Sequence, residues 1–196
     1  MILEKEIQFI LAIDELKNVQ RRNYILNDSR RENSAEHSWQ IVVFAQVLYP
    51  YAKNKEQINL YRVLKMLSIH DIVEIDAGDT FAFDEKAMAG KYERELASAK
   101  RIFGILDEPL CSEFLALWEE FEAATSPDAV FANAIDRIMP FILNAHTSGK
   151  SWKEGTVTEQ QVRKVIEQAV KRASDALGEA FEILLKKALG EHKIRS

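Results

Sequence analysis

Two histidines and two aspartates, His37, His70, Asp71 and Asp136, stand where helical periodicity calls for apolar side chains. Leu60, Val63, Leu64 and Leu67 recur at three- and four-residue spacing, and the same face then carries His70, Asp71 and Glu74. His37 shares a face with Ile41, Phe44 and Leu48, and Asp136 falls among Ala132, Ile135, Met139 and Leu143. Taken singly, each has a plain structural reading: a hydrogen-bonded core histidine, or an aspartate paired with Arg137 or a loop arginine. Burying charge costs on the order of several kcal/mol unless it is paired or bound to metal. Taken jointly, two imidazoles and two carboxylates from three helices are a donor set for a borderline divalent cation. Adjacent His70 and Asp71 diverge by about 100° around a helix, so one ion suits both only if it sits between their directions, close to the helix. Glu74 lies one turn beyond His70, long enough to reach a water on such an ion rather than the ion. Gly78 ends the helix, and Asp79 follows from the loop.

The elements that must position these residues are helical. An amphipathic helix is expected over residues 2–17, with Ile7, Ile10, Leu11 and Ile13 to Leu16 inward. A polar connection from Asn18 to Asn33 carries Arg21, Arg22, Arg30 and Arg31. Structureless loops of that length are uncommon and often functional. Asn33 with Glu36 resembles a capping box, starting a helix that Pro50 ends. A third helix is expected from about Glu56 to Glu74, and a fourth from an Asp84 cap to about Leu106. A fifth opens at Pro109, with Leu110, Phe114, Leu117, Trp118 and Phe121 as its stripe. Ser126-Pro127 starts a sixth, which Pro140 should bend. Thr158 and Gln161 suggest a second capping box, opening a C-terminal helical region over about 158–190 that can break near Gly178. The expected fold is all-α, a single domain over residues 1–196 with a metal-site core at about 10–146.

Composition excludes several classes. Seven glycines and four prolines in 196 residues are too few for the turns of a β-sandwich or barrel. A net charge of -5 argues against a general nucleic-acid binder. No stretch reaches the roughly 18 apolar residues of a membrane span, and the N-terminus lacks a signal-peptide pattern. One cysteine, Cys111, fits a reducing compartment and a buried structural thiol. A cytoplasmic protein is expected, with neither membrane nor nucleic acid as partner.

The order His, His-Asp, Asp resembles the signature of the HD-domain phosphohydrolase superfamily. The segments Glu32-Asn33-Ser34-Ala35-Glu36-His37-Ser38, His70-Asp71-Ile72-Val73-Glu74 and Ala77-Gly78-Asp79-Thr80 are similar to its 5'-deoxynucleotidase (YfbR-like) branch, over roughly residues 10–146. The resemblance implies that His37, His70, Asp71 and Asp136 ligate the metal. It implies that Glu74 and Asp79 act on the water and contact the sugar, and that Arg22, fifteen residues before His37, contacts phosphate. Asn23 departs from the pattern, because the bacterial members resembled most carry an aromatic residue there; Tyr24 is a candidate substitute. Binuclear HD proteins recruit further histidines between the HD pair and the last aspartate. Here the other two are His146, on terminal helix carbonyls, and His192, in a frayed tail. One divalent cation is therefore expected, such as Mn, Co or another first-row transition metal. The implied reaction releases phosphate from a (deoxy)ribonucleoside 5'-monophosphate, in a homodimer. The alternatives are an HD phosphohydrolase on another nucleotide, and a non-catalytic helical module stapled by its metal.

Overall fold

The computed structural model describes residues 2–195. Helix α1 (Glu4–Ile13) leads through a 3-10 turn (Asp14–Asn18) into an antiparallel hairpin, β1 (Gln20–Tyr24) and β2 (Arg31–Asn33). Next come α2 (Ser34–Leu48) and α3 (Leu60–Ile69), which a 3-10 turn (His70–Val73) joins to the short α4 (Glu74–Ala77). These are followed by α5 (Glu85–Met88), α6 (Lys91–Phe103), α7 (Leu110–Ala123) and α8 (Pro127–His146). The chain closes with α9 (Lys150–Glu154), α10 (Glu159–Val162), α11 (Gln168–Ala173) and α12 (Asp175–Gly190).

The fold is all-α apart from the hairpin, and α8 is its axis. This helix packs against α2, α3, α7, α11 and α12. It buries Phe131, Ala132, Ile135, Ile138, Phe141 and Ala145, so apolar residues surround it nearly all the way round, as expected of a helix at the centre of a domain. Ser126 caps it by accepting from the Ala129 amide at 3.1 Å, with Pro127 in its first turn. The helix runs on through Pro140. The Asn33/Glu36 capping box forms as expected and sets His37 in the first turn of α2.

Several expectations are corrected. The segment read as a polar loop is the β1–β2 hairpin. Its alternation places Arg21 and Asn23 inward and Arg22 outward, but the inward residues are polar because they face a charged site. Helix α1 turns Phe9 into the core, against Phe114 at 5.9 Å, and leaves Ile7, Ile10 and Leu11 exposed. Two apolar faces were written into that helix, and contacts with the body decided which is covered. Helix α3 starts only at Leu60, capped by Asn59, and tightens to 3-10 geometry at His70. The fourth helix is two, because Gly90 at φ 68° turns the chain between α5 and α6. The C-terminal break comes at Ser174, whose side chain caps α12, and Gly178 lies inside that helix. A Cβ on Gly178 would come within 3.0 Å of Lys171 Cγ, so the glycine permits close helix approach. Cys111 is half-buried rather than buried. The tail around His192 is tied down, with Ile194 buried and Arg195 bridged to Thr158.

Candidate active site

Three elements converge on the cluster that the sequence pointed to. Helix α2 delivers His37, the 3-10 turn after α3 delivers His70 and Asp71, and α8 delivers Asp136. His37 is fully buried, with Nε2 2.8 Å from Asp136 Oδ1. His70 places its Nδ1 3.0 Å from the Leu67 carbonyl. Its ring packs on Phe121 at 4.8 Å between centroids, which fixes its plane. His70 Nε2 then lies 2.9 Å from Asp71 Oδ1 and 3.6 Å from Asp136 Oδ1. Asp71 Oδ2 is 3.9 Å from His37 Nε2. Ligand atoms of His37, His70 and Asp136 all lie within 4.8 Å of one another. Asp71 touches both imidazoles from the side of that trio.

This arrangement fits a cation. Donation from Nδ1 to Leu67 leaves a neutral His70 with its lone pair on Nε2. That atom is buried, has no hydrogen-bond partner and faces carboxylate oxygens. Lone pair against anion is repulsive unless a proton or a metal ion lies between them. Two imidazole nitrogens with carboxylate oxygens are ligands that suit first-row divalent ions. His37, His70, Asp71 and Asp136 would hold it.

Glu74 enters from the start of α4, buried, and its Oε2 accepts from Ser34 Oγ at 2.6 Å. Asp79 follows Gly78, whose φ of 74° reverses the chain after α4. Between these carboxylates lies Arg21, one of the four arginines of the polar connection. Its Nη1 is 3.0 Å from Asp71, 3.7 Å from Asp79 and 3.9 Å from Glu74, while Nε is 3.6 Å from Glu32. Arg22, in contrast, is exposed at the mouth of the adjoining pocket, which Arg21, Asp79 and Asp136 also line. Arg21 and Glu32 are the site residues that sequence reasoning missed. The signal available for Arg21 was period-two alternation with Asn23. Tyr24 points elsewhere: its hydroxyl donates to Glu154 and Lys150 Nζ sits 4.0 Å over its ring.

Burial and charge pull these groups apart. Burial alone would raise Asp71, but His70 and Arg21 outweigh it and hold the carboxyl at about 2. Asp136 likewise overcomes burial, and its hydrogen bond with His37 and the nearby His70 ring keep it well below the usual carboxylate range. Burial pushes Glu32 up to about 7 against the pull of Arg21. Burial and the Asp71 charge raise Glu74 well above its ordinary value. His70 is raised by Asp71 and Asp136 in spite of burial, whereas burial and Arg21 lower His37.

Fold and donor set together define a helical protein with a candidate cation site beside a pocket that Asp136 lines. A family model described as HD domain matches residues 13–178, and the chain belongs to this family. Among curated relatives is the 5'-deoxynucleotidase HDDC2 of Danio rerio, 29% identical over 145 residues, covering 74% of this chain and 70% of that protein. The Homo sapiens protein of the same name is 30% identical over 132 residues, 67% of this chain. This chain spans only 62% of the human protein's length. A crystal structure of a predicted metal-dependent phosphohydrolase from Magnetospirillum magnetotacticum superposes with a TM-score of 0.91 at 40% identity, covering 99% of this chain and 98% of that one. An HD-domain phosphohydrolase from Listeria innocua shares the fold at a TM-score of 0.58 and 16% identity, over 94% of this chain and 85% of its own.

Proposed function

We propose that this chain is a metal-dependent phosphohydrolase that releases phosphate from deoxynucleoside 5'-monophosphates, using one divalent first-row cation. The observation that carries the reading is the cluster of buried His37, His70 and Asp71 with half-buried Asp136, Glu74 beside it, at the end of a pocket lined by Arg21, Arg22 and Asp79. The names of the HDDC2 relatives support the substrate class. The bound ion would supply Lewis acidity toward a phosphate oxygen and a more acidic water. Glu74, oriented by Ser34, is the group to take the proton from that water. Arg22 binds the phosphate from the pocket mouth, and Arg21 adds positive charge from within. Asp79 accepts a hydrogen bond from the sugar 3'-hydroxyl, and its closeness to the ring disfavours a 2'-hydroxyl.

The working form we infer is a cytoplasmic homodimer. Ile10 and Leu11 on α1, and Trp39 and Val47 on α2, are large apolar side chains left exposed, Trp39 at 70%. No helix among the described residues is long and apolar enough to cross a membrane.

Phosphate release from a panel of ribo- and deoxyribonucleoside monophosphates, with several divalent metals and after chelation, tests the proposal. Metal-dependent release, fastest from deoxynucleotides, is the expected result. Release only from nucleotides outside the panel would move the chain to another HD phosphohydrolase activity. A metal-loaded protein with no turnover on any nucleotide would leave the metal as a structural staple.

A further inference from the structure

The pocket has a polar floor that the proposed hydrolysis does not use. Asn144 lies eight residues after Asp136 on α8, about 12 Å along the helix axis. Its Nδ2 donates to Asn23 Oδ1 at 3.0 Å and to the Pro140 carbonyl at 3.0 Å. Ser151 Oγ lies 2.7 Å from Asn144 Oδ1 and 3.3 Å from Asn23 Oδ1. Every hydrogen-bonding group of Asn144 that can engage is thus taken within the protein. Asn23 is different. Its Oδ1 is claimed by Asn144, which sets the amide orientation, while its Nδ2 donates to no other described residue. Asn23 is buried and lines the pocket, together with Phe81, Phe141 and Trp152.

The pocket therefore has two unlike ends. One carries Asp136 of the candidate cation cluster with Arg21, Arg22 and Asp79, and suits a phosphate and a sugar. The other carries flat apolar walls and one amide with only donors to offer. We propose that Asn23 is a specificity-determining residue that reads the nucleobase, donating to an oxo oxygen and so favouring oxo bases over amino bases. This rests on the mononucleotide reading of the site. A base presenting an amino group there would set donor against donor, and a site built to hydrogen-bond one group discriminates strongly against an analogue lacking it. An aspartate at this position would keep the acceptor for Asn144 and turn the outward group into an acceptor, as carboxylates accept from the cytosine amino group.

The test compares 2'-deoxyuridine and 2'-deoxycytidine 5'-monophosphates, which differ at the 4-oxo and 4-amino edge. Binding is measured calorimetrically on the metal-loaded full chain, and phosphate release is measured alongside. The wild-type protein should bind the oxo nucleotide more tightly by roughly tenfold or more. Asn23→Ala should bring the ratio near one, and Asn23→Asp should invert it. Equal binding by the wild-type protein, or preference for the amino base, overturns the proposal, as does an unchanged ratio in a folded Asn23→Asp. If Asn23→Asp does not fold, the wild-type ratio and Asn23→Ala decide. An oxo preference in binding without turnover leaves this inference standing and removes the hydrolase reading. Turnover with no base preference does the reverse, and no binding of either nucleotide overturns both.

Discussion

Glu32, Asp71, Glu74, Asp79 and Asp136 gather around two imidazoles, and the Arg21 guanidinium reaches four of the five carboxylates within 3.9 Å. Its own ionisation is strengthened by Asp71, Glu74 and Asp79 against the cost of burial. Removing one member of a buried ion pair leaves the others uncompensated, at about 3–5 kcal/mol. Arg21→Met should therefore lower the unfolding free energy of the chelated protein by an amount of that order, measured by urea denaturation. A loss below about 1 kcal/mol, the range of exposed pairs, would place Arg21 outside the electrostatic core. Glu74 invites a different separation. Its hydrogen bond from Ser34 holds it beside the histidine–aspartate cluster. Glu74→Gln should retain metal and substrate affinity, while single-turnover rate falls by roughly 10²–10⁴-fold, as for loss of a general acid or base. A metal-loaded Glu74→Gln turning over at the wild-type rate would remove its catalytic assignment.

Among the elements, the bend at Gly78 does the positioning that α4 alone cannot. Its φ of 74° and ψ of 153° lie where side chains are strained, yet a Cβ there would meet nothing within 4 Å. The cost of Gly78→Ala is thus a backbone cost, of order 1–3 kcal/mol. Relief of that strain would swing Asp79 away from the pocket. The expected outcome is a lower Tm with a raised KM for deoxynucleotide and a nearly unchanged metal affinity. Unaltered KM and Tm would show that the bend is not what aims Asp79. The hairpin is the other positioning element, and its sequence disguised it. Gln20-Arg21-Arg22-Asn23-Tyr24 alternates, but with polar residues on the inner side, so the usual apolar signal of a half-buried strand was missing.

For the whole molecule, the cluster couples stability to pH with a sign that metal reverses. In the metal-free protein His70 is raised above its unfolded value, so its contribution is present below about 6.5 and is lost as pH rises through the folded value. Glu32, raised from 4.5 to about 7, behaves alike: its contribution is present below 4.5 and disappears as pH climbs toward 7. His37 is lowered and opposes them, but burial-raised Glu74 adds to the first trend. Chelated protein should thus lose Tm between pH 5 and 8, whereas the stabilisation gained on adding metal should grow, since ligands must shed protons to bind. Thermal scans with and without chelator over that range check both slopes. A metal increment that shrinks toward high pH would contradict the ligand assignment.

His37, His70, Asp71, Glu74 and Asp136 were legible in the chain because charge on an apolar helical stripe is locally anomalous, and the anomaly needs no knowledge of the neighbours. The caps at Asn33, Ser126 and Thr158 were legible for the same reason: each is settled within four residues by side-chain-to-backbone hydrogen bonds. Arg21 and Glu32 were not, because an arginine in a polar segment looks solvated until a fold brings Asp71, fifty residues away, to its side. The covered face of α1 and the break at Ser174 likewise turned on packing against distant elements. Local periodicity determines which residues must avoid water or find a partner; only tertiary contact decides which partner, because that choice is made by groups far apart in the chain.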